Sequence, residues 1–371
     1  MCLHAGGPHL DSGHAPGTPV GWWRVGEDIY DVLIVGAGAA GCAAAMNLPQ
    51  GTRTLLIDRG RPSDGRCCGG LLAPDAQRAI ARLGLGLPRE VCVLPEPQAV
   101  HVHDLDSGHE QVYRRDYVNL DRARFDAWLL DVAAKRAEFR PHTRLVGLEV
   151  RADGVAARIA SRGNEEEVVR VRVLIGADGA ASRVRRTAFP HVPLAETMLA
   201  IQVRLAAAEP PPVHEVLFAS GLTDFYAWAI PKPGSVLVGS AFGRPRGARE
   251  RFEKILAWYR DTFSLDGEVL VRSARRLTRP RAKGDLFGGS GPVLLAGEAA
   301  GLVSPSSGEG LSFAIASGAA AGRAAREASP EAAYGGPFRH LARRVARKFI
   351  KARVIFSPAW RRWALSLPWC P

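Results

Sequence analysis

The chain has 371 residues, 47% of them hydrophobic and 23% charged, with a net charge of +12. That length and apolar content exclude wholesale disorder and allow two domains, while no apolar run is long enough to span a bilayer and the N-terminus lacks a basic-then-apolar secretory pattern. Residues 331–371 hold nine Arg and Lys against one Glu, so the remainder is close to neutral and no nucleic-acid surface is expected. The cysteines (Cys2, Cys42, Cys67, Cys68, Cys92, Cys370) do not frame a disulfide scaffold, which fits a reducing cytoplasmic setting.

Residues 1–28 are rich in Gly, Pro and His without periodicity and read as a mobile tail, with order beginning at Tyr30. Asp31-Val-Leu-Ile-Val35 suits a strand buried on both faces, Gly36 to Gly41 a turn, Cys42–Met46 a helix, and residues 53–58 a second buried strand. This is a βαβ unit. Helices are then predicted over 74–83 and 122–137, and strands over 98–103, 110–115, 144–150, 154–160 and 167–175. From 198 to 240 the texture changes. Leu199, Ile201, Val203 and Leu205 alternate with Ala200, Gln202 and Arg204, which predicts an antiparallel sheet with one buried face. A helix near 247–260, strands near 269–276 and 292–296, and a helix over 309–325 complete the pattern.

Gly36-Ala-Gly38-Ala39-Ala40-Gly41, set between strand and helix, is a dinucleotide fingerprint. Gly36 permits the tight turn, Gly38 the approach of a pyrophosphate, and Gly41 the closeness of helix to strand. Asp58 ends the next strand, 22 residues after Gly36, where a carboxylate can accept from ribose hydroxyls, with Arg59 beside it. The fingerprint alone does not separate NAD from FAD. Two later segments point to FAD: the strand-to-helix turn Leu174 to Arg186, which contains Asp178, and the turn Gly297-Glu298 to Gly308-Glu309-Gly310-Leu311. Glu298 is placed for ribityl or ribose hydroxyls. Backbone N–H groups of Gly308–Leu311, at a helix start, would stabilise negative charge on the pyrimidine edge of a reduced flavin. The domains expected are an FAD-binding domain (29–95, 117–190 and 285–330), a substrate domain (96–116 and 191–284) and a C-terminal basic helical segment (331–371).

The set GAGAAG, Asp58, LDRARFDAWL (120–129), LIGADGAASRVRR and GEAAGLVSPSSGEG resembles the geranylgeranyl reductase family within the class A flavin monooxygenase superfamily. CGGLLAPDAQR (68–78), Tyr226-Ala-Trp228 and the basic C-terminus bring it near the bacterial CbrA-type flavoproteins of that family. The resemblance implies an α/β fold: a discontinuous Rossmann-like FAD-binding domain of glutathione-reductase type, an antiparallel-sheet substrate domain and a C-terminal helical segment. It implies that Arg122 contacts the FAD phosphates, that Val146 lies near the adenine, and that Cys68-Gly69-Gly70 lies beside the isoalloxazine. Many relatives have Asp where Glu298 stands, so its contact is displaced by a methylene. Cys68 is either a thiol that tunes the flavin or delivers a proton, or a small residue packing on the ring. Tyr226 and Trp228 share a strand face, which in the family lines the substrate cavity; filling the sheet's core is the alternative. The same segment is similar to the Trp-x-Trp-x-Ile-Pro of flavin halogenases, whose lysine has no counterpart before Lys135.

The activity implied is hydride transfer to a carbon–carbon double bond of a small apolar, isoprenoid-like molecule, with O₂-dependent hydroxylation as the alternative and a non-catalytic membrane flavoprotein as a third reading. A single fingerprint leaves no dedicated NAD(P)H domain, so the electron donor is transiently bound NAD(P)H or a ferredoxin-like protein. In the C-terminal segment Phe338, Leu341, Val345, Phe349 and Ala352 share one helical face, and Arg343, Arg344, Arg347, Lys348 and Lys351 the other, followed by Trp360, Trp363 and Trp369. Two readings stand: a helix packed on the FAD domain with a solvated basic face, or a peripheral contact with an anionic membrane. No metal site is assigned.

Overall fold

The computed structural model describes residues 25–60, 68–163 and 165–365; the expected tail up to residue 24, Cys67 and Trp369 lie outside them. Strand β1 (Val25–Val35) starts five residues before Tyr30, because Val25 and Ile29 already pair with Val168 and Arg170. Helix α1 (Ala39–Met46) and β2 (Thr54–Ile57) complete the βαβ unit. Then come β3 (Leu71–Leu72), α2 (Pro74–Ala81), β4 (Ala99–Asp104), β5 (His109–Arg114) and β6 (Val118–Asn119). Helix α3 (Arg122–Ala133) is capped by Asp121, which accepts from the N–H groups of Ala123 and Arg124; it stops four residues short of Ala137. The chain turns there into β7 (Glu138–Arg140), a short edge strand with no apolar run to announce it. It continues through β8 (Arg144–Arg151), β9 (Gly154–Ala160), β10 (Glu166–Gly176) and α4 (Arg183–Ala188).

The second half holds β11 (Thr197–Ala206), β12 (His214–Phe218), β13 (Ala227–Lys232), β14 (Ser235–Phe242), α5 (Ala248–Phe263) and β15 (Val269–Thr278). The chain returns through β16 (Gly289–Ser290), β17 (Val293–Leu295) and α6 (Leu311–Ala324), and ends in α7 (Pro330–Ile355) and α8 (Pro358–Leu365). The first sheet runs β16-β17-β10-β1-β2-β7, parallel from β17 to β7, with β8 and β9 forming an antiparallel extension of β10. The second runs β15-β11-β14-β13-β12-β4-β5, so the early strands β4 and β5 join the later ones.

Helix α1 lies against α6, and both are built from small residues. A Cβ at Gly318 would overlap the carbonyl oxygen of Ala40, and one at Gly322 that of Ala44. Four residues apart, the two glycines share a helix face and let the backbones touch. This contact runs the two helices in the same direction, with the α6 start about two turns beyond the α1 start.

One expectation for the second sheet needs correction. Val203, Leu205, Ala227, Ala229, Val236 and Val238 face α5, as alternation requires, yet Ala200 and Gln202 are buried too. On the opposite face Met198, Ala200, Phe225 and Ala241 are buried and pack with Phe356 from the C-terminal segment, so residues on both faces are covered.

At the C-terminus, Leu341, Val345 and Ala352 are buried and Phe338 and Phe349 pack on the core, as predicted. The basic residues do not all face water. Arg344 and Lys348 lie over the Phe313 ring, 5.3 Å from its centroid in each case, and Arg344 pairs with Asp75 at 3.3 Å. Arg361 of α8 is buried, pairs with Asp104 at 2.8 Å and with Asp106, and so pins the last helix to the second sheet.

Candidate active site

The turn after β1 is shaped by two glycines behind the site. Gly36 has φ +106°, and a Cβ there would overlap Ala177; a Cβ on Gly41 would overlap the carbonyl of Gly36. The strand-to-helix step is therefore as tight as backbone allows. Gly38 is the N-cap of α1 and supplies no side chain to its first turn, so Gly38, Ala39 and Ala40 form a bare wall. Asp58 stands at the end of β2 beside this turn, accepting from Ala37 N at 2.8 Å and Gly60 N at 3.0 Å. Arg59 next to it is exposed.

Opposite lies the 297–311 turn. Gly297 (φ +61°) and Gly308 (φ +63°) reverse the chain, and Gly297 N donates to Ser317 Oγ at 2.9 Å. Helix α6 starts from Gly310, also without a side-chain cap; Glu309 Oε1 accepts from Ser312 N at 3.1 Å. Gly297, Glu298, Gly308, Gly310 and Leu311 line the same cleft as Gly38–Ala40. Its empty space comes to about 1570 Å³, solvent at the mouth included.

The loop after β2 forms a third wall. Cys68, a free thiol, accepts from Arg122 Nη1 at 2.8 Å, and Gly69 and Gly70 lie on β13, where Cβ atoms would overlap Ile230 and Lys232. Arg122 also grips Asp126 at 2.9 and 3.1 Å, while its Nε is buried with no partner among the described residues. Burial pulls the Arg122 guanidinium down, but the Asp126 charge outweighs it and holds it above its usual value. Behind the loop the Lys232 ammonium donates to Asn119 Oδ1 at 2.5 Å and Leu120 O at 3.1 Å, and burial pushes it down to about 8.

The roof is the second sheet. Tyr226, just before β13, and Trp228 on it both reach the cleft, with ring centroids 5.9 Å apart. Tyr226 donates to Ser307 O at 2.7 Å, and burial raises its phenol well above the usual range. Trp228 Nε1 is buried without a partner among the described residues. Room for the indole comes from Gly239, its register partner on β14.

Some predicted residues are placed differently. Val146 does not line the cleft; it is the bulged residue of β8 and its carbonyl accepts from Arg183 at 3.0 Å. Asp178 does not line it either. Its carboxylate accepts from Ser182 Oγ and Arg183 N, both at 2.6 Å, and from Val184 N at 3.1 Å, so it caps α4. Burial raises the Asp178 carboxyl despite those bonds. Asp58, Arg59, Gly36 and Gly41 stand behind or beside the cleft. The cleft is also lined by residues sequence reading passed over: Arg115, Tyr117 and His214. Both ring nitrogens of His214 and Arg115 Nε are buried without partners among the described residues. Burial, then the Arg115 charge, push His214 to about 3, so its imidazole is neutral. The isolated polar letters Arg115 and His214 carry no motif, so only the fold could have gathered them.

A groove between two helix N-termini whose N-cap residues are glycines, walled by backbone that a Cβ would obstruct and edged by a buried guanidinium with a spare N–H, fits a flavin dinucleotide. The family model described as an FAD binding domain matches residues 29–229. The chain belongs to the FAD-binding domain family. This flavoprotein is similar to Protein CbrA of Escherichia coli O9:H4 (strain HS), at 34% identity over 91% of this chain and 93% of that one. Among solved structures it is similar to a geranylgeranyl bacteriochlorophyll reductase-like protein of Thermoplasma acidophilum, with TM-score 0.74 and 20% identity, covering 89% and 88% of the two chains. PqsL of P. aeruginosa follows, with TM-score 0.70 and 19% identity, covering 91% and 99%. At such identities the likeness speaks for the fold. The protein is an FAD-dependent oxidoreductase, with NAD(P)H the electron donor typical of the family. No helix among the described residues is long and apolar enough to cross a membrane.

Proposed function

We propose that this flavoprotein is a reductase of the geranylgeranyl reductase type, saturating carbon–carbon double bonds of an isoprenoid-like molecule. The observation that carries the reading is the composition of the roof: Ala200, Phe225, Tyr226, Trp228, Ile230 and Leu277 make an apolar ceiling above the 68–70 and 308–311 walls. Such a ceiling excludes water and orients an apolar chain. The motifs CGGLLAPDAQR and Tyr226-Ala-Trp228 support the same assignment.

FAD, when bound, supplies the hydride. The chain's own residues hold the cofactor, orient the substrate and deliver a proton. Gly38–Ala40, the α6 start and Arg122 hold the dinucleotide, with Asp58 at its ribose. Tyr226 stays protonated and anchored to Ser307, so it positions and does not act as a base. Cys68 Sγ, at the cleft wall, is the group placed to give the proton that accompanies the hydride. Arg115 and His214, whose Nε and ring nitrogens are buried without partners among the described residues, take a polar end of the substrate beside Tyr117.

Anaerobic incubation with NAD(P)H and a panel of unsaturated isoprenoid lipids tests this. A product two hydrogens heavier is expected, and a hydroxylated product formed only with O₂ would overturn it. We propose in addition that α7 and α8 touch an anionic membrane surface through Ile350, Trp360 and Trp363, which are 72%, 60% and 57% exposed beside Arg343, Arg347 and Arg362.

A further inference from the structure

The face of the second sheet that packs on α5 carries a cluster with no part in the cleft. His101 and His103 stand two apart on β4 and so share a face. The register sets Glu110 of β5 opposite His103, and Glu215 of β12 beside His101. Val100, Val102 and Val216, out of phase by one, point the other way and pack with Tyr226 and Phe356. Glu215 Oε2 lies 2.8 Å from His103 Nε2 and 3.1 Å from His101 Nδ1. Glu110 lies 3.3 Å from His103 Nδ1 and 3.6 Å from His101 Nε2. One ligand atom from each of His101, His103 and Glu215 falls within 4.8 Å of the others. Glu215 and His103 are 2% and 5% exposed, and Trp258 and Phe263 of α5 set their edges against the His103 ring.

We propose that His101, His103 and Glu215 bind a divalent transition-metal ion of the zinc class, with Glu110 holding the outward ring nitrogens of the two histidines. Two imidazoles and a carboxylate are donors that zinc takes. Bonds of about 2.0–2.2 Å in a tetrahedron put ligand atoms about 3.4 Å apart; the carboxylate–imidazole spacings of 2.8 and 3.1 Å widen by a few tenths of an ångström, and the three donor atoms already lie within 4.8 Å of one another. Glu215 is buried under α5, and an ion held by it and the two imidazoles removes the need to bury a lone carboxylate. Partly exposed His101 and exposed Glu110 provide the entry path. The ion ties β12 to β4 beneath α5, on the side of the sheet away from the flavin, so its role is structural. In sequence the two histidines stand together, but Glu215 is 112 residues beyond His103.

Untagged holoprotein, dialysed against a chelator and titrated with zinc chloride, provides the test, read as zinc per chain by mass spectrometry and as the thermal midpoint. One zinc per chain and a raised midpoint are expected, with bound FAD unchanged. The His101→Ala/His103→Ala variant should take up none. Glu110→Gln and His101→Asn lie at the solvent edge and keep the result readable if the double variant does not fold; each should weaken zinc binding about tenfold or more. A wild-type protein that takes no zinc, undiminished uptake by the double variant, or unchanged affinity in both edge variants overturns the proposal.

Discussion

Gly239 lies directly across from Trp228 in the β13–β14 pair, and a Cβ there would overlap the indole. Gly239→Ala therefore displaces Trp228 from the roof without touching the flavin walls. FAD content should stay at the wild-type level while kcat/KM for the substrate falls about tenfold or more, as expected when positioning is lost. A simultaneous loss of FAD would contradict this division of labour. At Lys232 the expectation concerns pH. Burial, partly offset by Cys68, lowers the ammonium from 10.5 to about 8 in the folded chain. Between those values the unfolded chain binds more protons than the folded one, so stability rises with pH through that window, by on the order of 1–3 kcal/mol. Below it both forms are protonated and the cost of the buried charge stands in full. Lys232→Met should flatten the rise in denaturation midpoint between pH 8 and 10.5; an unaltered slope would show that Lys232 does not cause it.

At the scale of elements, the α1–α6 contact governs the groove between the two helix starts. Gly322→Ala forces a Cβ toward the Ala44 carbonyl. It should cost about 1–3 kcal/mol in unfolding free energy and weaken FAD retention, both measurable by denaturation and by flavin content after dialysis. The fingerprint turn, β2 and the 297–311 turn were legible because each couples a buried apolar run to glycines at fixed spacing. The α6 glycines that admit α1 were not, since a small-residue helix face names no partner. β7 was missed because Glu138–Arg140 has no apolar run, and β12 because its five buried residues do not alternate. Asp178 was read as a cofactor residue from its motif, whereas its carboxylate caps α4. Ala200 and Gln202 were read as solvated because alternation reports one covered face, and only tertiary packing, with Phe356 beside Ala200, covers the other.

For the whole molecule, two surfaces decide how the enzyme meets its surroundings. Arg361 fixes α8 to the second sheet through Asp104 and Asp106, so Trp360 and Trp363 are presented outward from a pinned helix. Trp360→Ala/Trp363→Ala should abolish most flotation with vesicles rich in anionic lipid while leaving FAD content intact; equal flotation of both proteins, or none for the wild type, would dispose of the membrane contact. Within the molecule a cleft lies between the two sheets, with the dinucleotide walls on one side and the aromatic roof on the other. The reading of that roof as a reductase cavity rests most directly on what reoxidises the reduced enzyme. Stopped-flow absorbance of the anaerobically reduced protein, mixed with an unsaturated isoprenoid lipid and separately with O₂, measures it. Rapid return of the oxidised flavin spectrum with the lipid in the absence of O₂ is the expected result. Reoxidation by O₂ alone, accelerated by the lipid and yielding a hydroxylated product, would contradict it.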